Sequence, residues 1–322
     1  KSGVSDEFIA VSFKDALINQ ASKNKEIVLL DGDLLGDARL QDFKERLPEQ
    51  FIENGIAEQD MVSTAGGLAL QGKIPFVNSF AAFLASRANE QIYNNSTELT
   101  KIIYMNLYAG LIPAGPGKSH QSLRDIALMG SIPDMVVVQP SNEKETHALL
   151  NWMVNESENS CSIRLNIGPS PRKIHYDDSW ELEYGKGTVI RKGDSGVIFA
   201  YGPVMLNEAL KASEILKKDS YSLKVIALPW LNRFDYEWVI SELEGINEIY
   251  ILEDHTTFGG LGDSIFNVIN ENIFQEAKKF NKFGIDEIPK CGTPMEVLQY
   301  HNLDGASLSE RILKISQNNE KK

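Results

Sequence analysis

Gly55-Ile56-Ala57-Glu58-Gln59 places a carboxylate at the start of an apolar helical stretch, and Phe80 and Phe83 follow the next strand-like run, Ile74–Asn78. A flat, cationic heterocycle needs an aromatic face and a carboxylate together. Shielded from water, Glu58 could share a proton with a ring nitrogen near neutral pH. Each residue taken singly has a plainer reading. Glu58 could be a first-turn carboxylate favoured by the helix dipole, and the two phenylalanines could be core packing. Only their combination points to chemistry.

The elements that must position these side chains read as α/β. After Glu58 come Met61, Val62, Ala65, Leu68 and Ala69, with Gly66 and Gly67 in mid-helix. Two such glycines cost roughly 1 kcal/mol each relative to alanine, so they predict close backbone approach, as at a subunit interface. Predicted strands are Glu26–Leu30, Ile74–Asn78, Ile102–Asn106, Met135–Val138 and Ser162–Leu165, alternating with helical segments of which Asn142–Asn155 is the clearest. Pro169-Ser170-Pro171 and the polar run after it break the pattern. A second unit follows, with strands Gly196–Tyr201, Leu223–Ala227 and Glu248–Leu252 and a helix over Pro203–Leu216. Gly292–Tyr300 and Ala306–Ser316 read as helical, and Gln317–Lys322 as a frayed tail. The expected fold is α/β, with two parallel-type αβα sandwich domains. The first would span residues 1–172 and the second 191–322, with 173–190 as linker.

Composition narrows the function classes. The chain has 322 residues, 42% hydrophobic and 24% charged, enough for two domains with cores of their own. A net charge of -13 without any Lys/Arg-rich run argues against nucleic acid or an anionic membrane as the main partner. Cys161 and Cys291 stand far apart without metal-ligand spacing. With no apolar run of about 18 residues and no signal peptide, a reduced, cytoplasmic protein is expected. The sequence opens on Lys1 and reads as trimmed.

Four motifs together resemble the C-terminal half of transketolase, and more closely the C-terminal subunit of split, two-chain transketolases. Gly55–Met61 resembles the cofactor-glutamate motif and Ser79-Phe80-Ala81-Ala82-Phe83 the aromatic platform. Gly117-Lys118-Ser119-His120-Gln121 resembles the active-site histidine loop, and Asp254-His255 through Gly262 the third-domain signature. The resemblance implies a thiamine pyrimidine-binding domain followed by a transketolase C-terminal-like domain. It also implies that Glu58 contacts the aminopyrimidine of thiamine diphosphate and promotes its imino tautomer, while Phe80 and Phe83 stack on that ring. Asp33 and Leu34 match the family's Asp-Leu loop near the thiazolium, although a loop aspartate after a strand otherwise reads as a turn former or cap. His120 and Gln121 would meet substrate, with His120 polarising or protonating its oxygens. The reaction implied is transfer of a two-carbon ketol unit from a ketose to an aldehyde.

The family binds the diphosphate and its metal through a Gly-Asp-Gly motif followed by an asparagine, and no such combination occurs here: Gly32-Asp33-Leu34 and Gly262-Asp263-Ser264 fail at the third residue. The resemblance therefore implies a partner, the N-terminal diphosphate-binding subunit, that holds Mg2+ or Ca2+, with the cofactor shared in an α2β2 heterotetramer. Ordinary members hold a sugar phosphate with a histidine, an arginine and a serine at places where this chain has Tyr108, Ile167 and Asp37. Losing a cation and gaining a carboxylate opposes a phosphate dianion. An acceptor other than a standard sugar phosphate is expected, with Tyr108 and Asp37 lining its site, unless Lys118, Arg124 or Arg39 rebuilds an anion site. Two other readings stay open: a relative that decarboxylates a 2-oxo acid, and a scaffold subunit without turnover. The turn Phe258–Gly262 lacks the Lys-Ser/Thr of a P-loop and reads as structural, as do His147, His175 and His301.

Overall fold

The computed structural model describes residues 5–272 and 278–320. Buried apolar runs form the centre of each of two sheets, as parallel strands covered on both faces require. The first sheet comprises β1 (Ile27–Asp31), β2 (Phe51–Glu53), β3 (Ile74–Phe80), β4 (Ile103–Leu107), β5 (Val136–Val138) and β6 (Cys161–Leu165). Its order is β2-β1-β3-β4-β6-β5 and every pairing is parallel. The second comprises β7 (Thr188–Arg191), β8 (Gly196–Ala200), β9 (Leu223–Ala227), β10 (Glu248–Thr256) and β11 (Lys279–Ile285), in the order β11-β10-β8-β9-β7. Only β7, on the edge, is antiparallel to its neighbour.

The central strands lie within a residue or two of their expected places, except that β10 runs four residues past the expected Leu252, to Thr256. Three edge strands, β2, β7 and β11, escape the sequence pattern because they are short or carry polar residues on a half-exposed face. The strand β7 starts inside the segment read as linker. The helix expected from Asn142 begins at Glu143, with the Asn142 side chain accepting the Glu145 N–H at 2.8 Å. The last helix, Gly305–Glu320, runs past the point where fraying was expected, and residues 321–322 lie outside the described ones. Among the described residues no helix is long and apolar enough to cross a membrane.

Strand order decides where a site can sit. After β1 the chain crosses to one side, to β2, whereas after β3 it crosses to the other, to β4. A crevice opens where such paths diverge, at the carboxyl ends of the strands. In the first sheet that place is the paired end Asp31 and Asn78.

At the corresponding edge of the second sheet, Glu253 is fully buried and neither of its oxygens completes a hydrogen bond among the described residues. The turn Gly259-Gly260-Leu261-Gly262 makes room for it: a Cβ on Gly260 would fall 2.0 Å from Glu253 Oε2. Burial pushes the Glu253 carboxyl up to about 8, opposed by the Gly262 N–H, which points toward it without completing a hydrogen bond, and by the Lys282 charge. The folded chain thus favours the protonated form. This contribution to stability is complete below the ordinary value of 4.5 and is lost as pH rises through about 8. Glu253→Gln, neutral throughout, should be more stable than the wild type by a few kcal/mol at pH 9, with the gap closing toward pH 5. Urea unfolding at both pH values measures this; a gap independent of pH would contradict it.

Candidate active site

The crevice is built outward from Asp31, the last residue of β1. Its buried carboxylate takes the N–H groups of Leu34 and Leu35 at 2.8 and 3.1 Å and the side-chain amide of Asn78 from β3. Burial raises its pKa, and these hydrogen bonds oppose the rise. The turn Asp33-Leu34 is thereby fixed, with Asp33 in the left-handed region at φ 63° and its N–H donating to Glu53 Oε1 at 3.1 Å. The same Glu53 oxygen takes the N–H of Gly55 at 3.0 Å. Gly55, at φ 66°, turns the chain into the helix Glu58–Leu70. The Asp33 side chain is exposed, and Leu34 packs part-buried on the core.

Glu58 opens that helix and is only 6% exposed. Its Oε1 accepts from Arg87 Nη1 at 2.7 Å and, more weakly, from Ser79 Oγ at 3.5 Å. No hydrogen bond reaches Oε2 from the described residues. Next to it stands a group of rings. Phe80 ends β3 and Phe83 lies in the helix Ala81–Arg87, their ring centroids 5.7 Å apart. The His120 ring meets Phe80 and Phe83 edge-on at 5.7 and 5.2 Å, and Tyr108 lies 5.4 Å from Phe80. The Arg87 guanidinium covers the Phe83 ring at 3.9 Å, closing a path from carboxylate to aromatic face.

Tyr108 follows β4 directly, in the left-handed region at φ 59°. Its buried hydroxyl has no partner among the described residues. Burial, and then the charge of Asp37, push its pKa up to about 12. Asp37 is exposed at the rim, and Ile167 packs part-buried against the core. Half-buried His120 has Nδ1 3.0 Å from Ser119 Oγ, so its other ring nitrogen is the one left for a ligand. Gln121 departs from the group: its amide donates to the Leu111 carbonyl at 3.1 Å and to the Lys290 carbonyl at 3.0 Å, tying the histidine loop to the second domain.

Glu58, Phe80, Phe83, Tyr108 and His120 therefore come together, with the Asp37 charge felt at Tyr108 and Asp33-Leu34 on a turn anchored by Asp31. Sequence reasoning missed Arg87. The available signal was its place four residues after Phe83, on the same face of a helix. Beside the histidine loop, a cleft of about 750 Å3 between the domains is lined by Ala82, Ser86, Lys118, Ser119, Gln121 and Arg124 together with Thr257 and Ile288. The unpaired Oε2 of Glu58, the ring faces and the orphan Tyr108 hydroxyl fit a flat heterocycle that offers a ring nitrogen.

Residues 9–168 match the family transketolase, pyrimidine binding domain, and residues 185–308 match transketolase, C-terminal domain. A protein of Methanocaldococcus jannaschii, named for a transketolase C-terminal section, is 33% identical over 94% of this chain and 94% of its own length. One subunit of the apulose-4-phosphate transketolase of Phocaeicola vulgatus is 29% identical over 94% of this chain and 95% of its own. By contrast, the chain spans about half of the 1-deoxy-D-xylulose-5-phosphate synthase of Rippkaea orientalis, 47% of its length at 28% identity. Among solved structures, one titled a split gene transketolase, inactive beta4 tetramer, superposes with a TM-score of 0.85 at 29% identity, covering 97% of this chain and 98% of that one. With 33% identity over an alignment that spans both domains, and family models matching each, the chain belongs to the transketolase family and corresponds to its C-terminal section.

Proposed function

We propose that this chain is the pyrimidine-binding subunit of a two-chain, thiamine-diphosphate-dependent transketolase. It would transfer a two-carbon ketol unit from a ketose to an aldehyde and turn over only with a diphosphate-binding N-terminal subunit. The observation that carries this reading is the cluster itself: a buried carboxylate with one free oxygen, beside an aromatic platform and a histidine, and no Gly-Asp-Gly motif in the chain to hold a metal. Glu58 Oε2 would hold the proton of the aminopyrimidine ring nitrogen, and Phe80 and Phe83 would exclude water and orient the ring. The chemistry supplied by thiamine diphosphate, when bound, is that of a carbon nucleophile able to carry a ketol unit. His120 would donate to substrate oxygens through its unheld nitrogen, and Asp33-Leu34 would border the thiazolium. The partner would supply Mg2+ or Ca2+, in an α2β2 assembly. In this reading residues 1–172 form the pyrimidine-binding unit and 191–322 the C-terminal unit, joined by 173–190.

The Asp37 charge felt at Tyr108, with Ile167 in place of an arginine, favours an acceptor that does not present a phosphate dianion there. Each charge-assisted contact forgone is worth roughly 1.5–3 kcal/mol. The likeness to 1-deoxy-D-xylulose-5-phosphate synthase supports a second reading, a 2-oxo acid donor, whose signature is carbon dioxide release from pyruvate without turnover of ketoses.

Reconstitution with an N-terminal partner tests the proposal. Ketol transfer should appear only in the pair, and Glu58→Ala should lower kcat roughly 10²–10⁴-fold. An unchanged rate would leave only a scaffold role. Unphosphorylated aldoses should exceed ribose 5-phosphate in kcat/KM, and the reverse order would overturn the acceptor assignment. Tyr108→Phe removes a hydroxyl that has no partner among the described residues, so stability should stay within about 0.5 kcal/mol while acceptor KM rises. Thermal melting and steady-state kinetics on the same preparation report both.

A further inference from the structure

Arg87 makes two contacts at once with groups that the proposed function assigns to the cofactor. One guanidinium nitrogen donates to Glu58 Oε1 at 2.7 Å, and the guanidinium plane covers Phe83 at 3.9 Å. The Glu58 side chain is 7% exposed and that of Arg87 46%, so the carboxylate sits within the protein wall while the arginine reaches it from the rim. An ion pair of this kind contributes little when both partners are solvated, but one that is mostly shielded directs its carboxylate strongly.

We propose that Arg87 is a positioning residue for Glu58, and the inference rests on the functional reading above. By binding Oε1 it leaves Oε2 alone to meet the heterocycle's ring nitrogen, and it fixes which way the carboxylate faces. The need follows from conformational freedom. A glutamate has three side-chain torsions, and Ser79 at 3.5 Å is too weak a partner to hold them. A guanidinium suits this post better than an ammonium, because its plane stacks on Phe83 while its edge keeps an N–H aimed at the oxygen. Four residues separate Phe83 from Arg87 on one helix, so platform and carboxylate are set by a single rigid element. Displacement of the helix Ala81–Arg87 would carry ring and proton acceptor together.

A double-mutant cycle in the reconstituted pair separates this from simple packing, with thiamine diphosphate as the probe and its dissociation constant measured by calorimetry. Arg87→Met should weaken binding about tenfold when Glu58 is present and less than twofold in a Glu58→Ala background, where the diphosphate's hold on the partner keeps binding measurable. Arg87→Lys, which restores the charge without the stacking plane, should recover part of the loss. Equal effects of Arg87→Met in both backgrounds, or no effect in either, would overturn the positioning role while leaving the function intact. A wild-type pair that binds no thiamine diphosphate would overturn the functional reading, and the inference with it.

Discussion

Arg164 joins the two domains at a point with no access to water. It projects from β6, is fully buried, and donates to Asp125 at 2.6 and 3.3 Å, to Asp254 at 2.9 Å and to the side-chain oxygen of Gln139. Burial disfavours its charge, but the two carboxylates outweigh that and raise its pKa well above the ordinary arginine value. Desolvating three charges is expensive, and a network of this kind is weak evidence for net stability. What it secures is geometry. Asp254 belongs to β10, so the second sheet is locked to the first through one guanidinium. The loops that carry the site run past this lock. A Cβ on Gly110, two residues after Tyr108, would fall 1.8 Å from Asp254 Oδ2. Asp125 follows the histidine loop closely, and the Leu123 carbonyl accepts the Thr256 N–H at 3.0 Å.

Each sheet has a place where its connections diverge, and the two are used differently. In the second sheet the paths part between β8 and β10, and the first domain fills the opening. Tyr201 lies under the Arg164 guanidinium at 5.4 Å, and Gly202, at φ 66°, leaves room for Gln139, whose amide nitrogen would be 2.4 Å from a Cβ there. In the first sheet the paths part between β1 and β3, where the Asn78 amide donates to the buried Asp31 carboxylate. The rim there carries Glu58, the rings and His120. One switch point serves as a socket for the neighbouring domain, and the other is where the general rule for such sheets puts a ligand.

The legible parts of the chain are those where local pattern and final environment agree. Buried central strands read clearly as apolar runs, and the proximity of Glu58 to the two phenylalanines can be argued because helix start and strand end meet at one crevice. Arg164 reads only as part of a strand, since its partners lie 39 and 90 residues away and nothing in local spacing encodes them. Gln121 belongs to a motif that suggests substrate contact, yet the tertiary structure commits its donors to the backbone of Leu111 and Lys290. The edge strands β2, β7 and β11 lack a signal because half-exposed edges tolerate polar residues.

Within the proposed function, the electrostatics around Glu58 and Tyr108 favour a divided site. A diphosphate needs cations, and this chain has a net charge of -13. Arg87 is engaged with Glu58, Arg164 is consumed at the domain junction, and the charge felt at Tyr108 is that of the Asp37 carboxylate. Apart from Lys118 and Arg124 at the interdomain cleft, what remains would suit the aminopyrimidine end of thiamine diphosphate: an aromatic face, a single directed carboxylate oxygen and an orphan hydroxyl. Under the proposed function, a partner that brings the metal and the positive charge would complement such a surface. In that reading the partner's contribution would have a specific electrostatic form, set against the arrangement of Glu58, Phe83 and Arg87 in this chain.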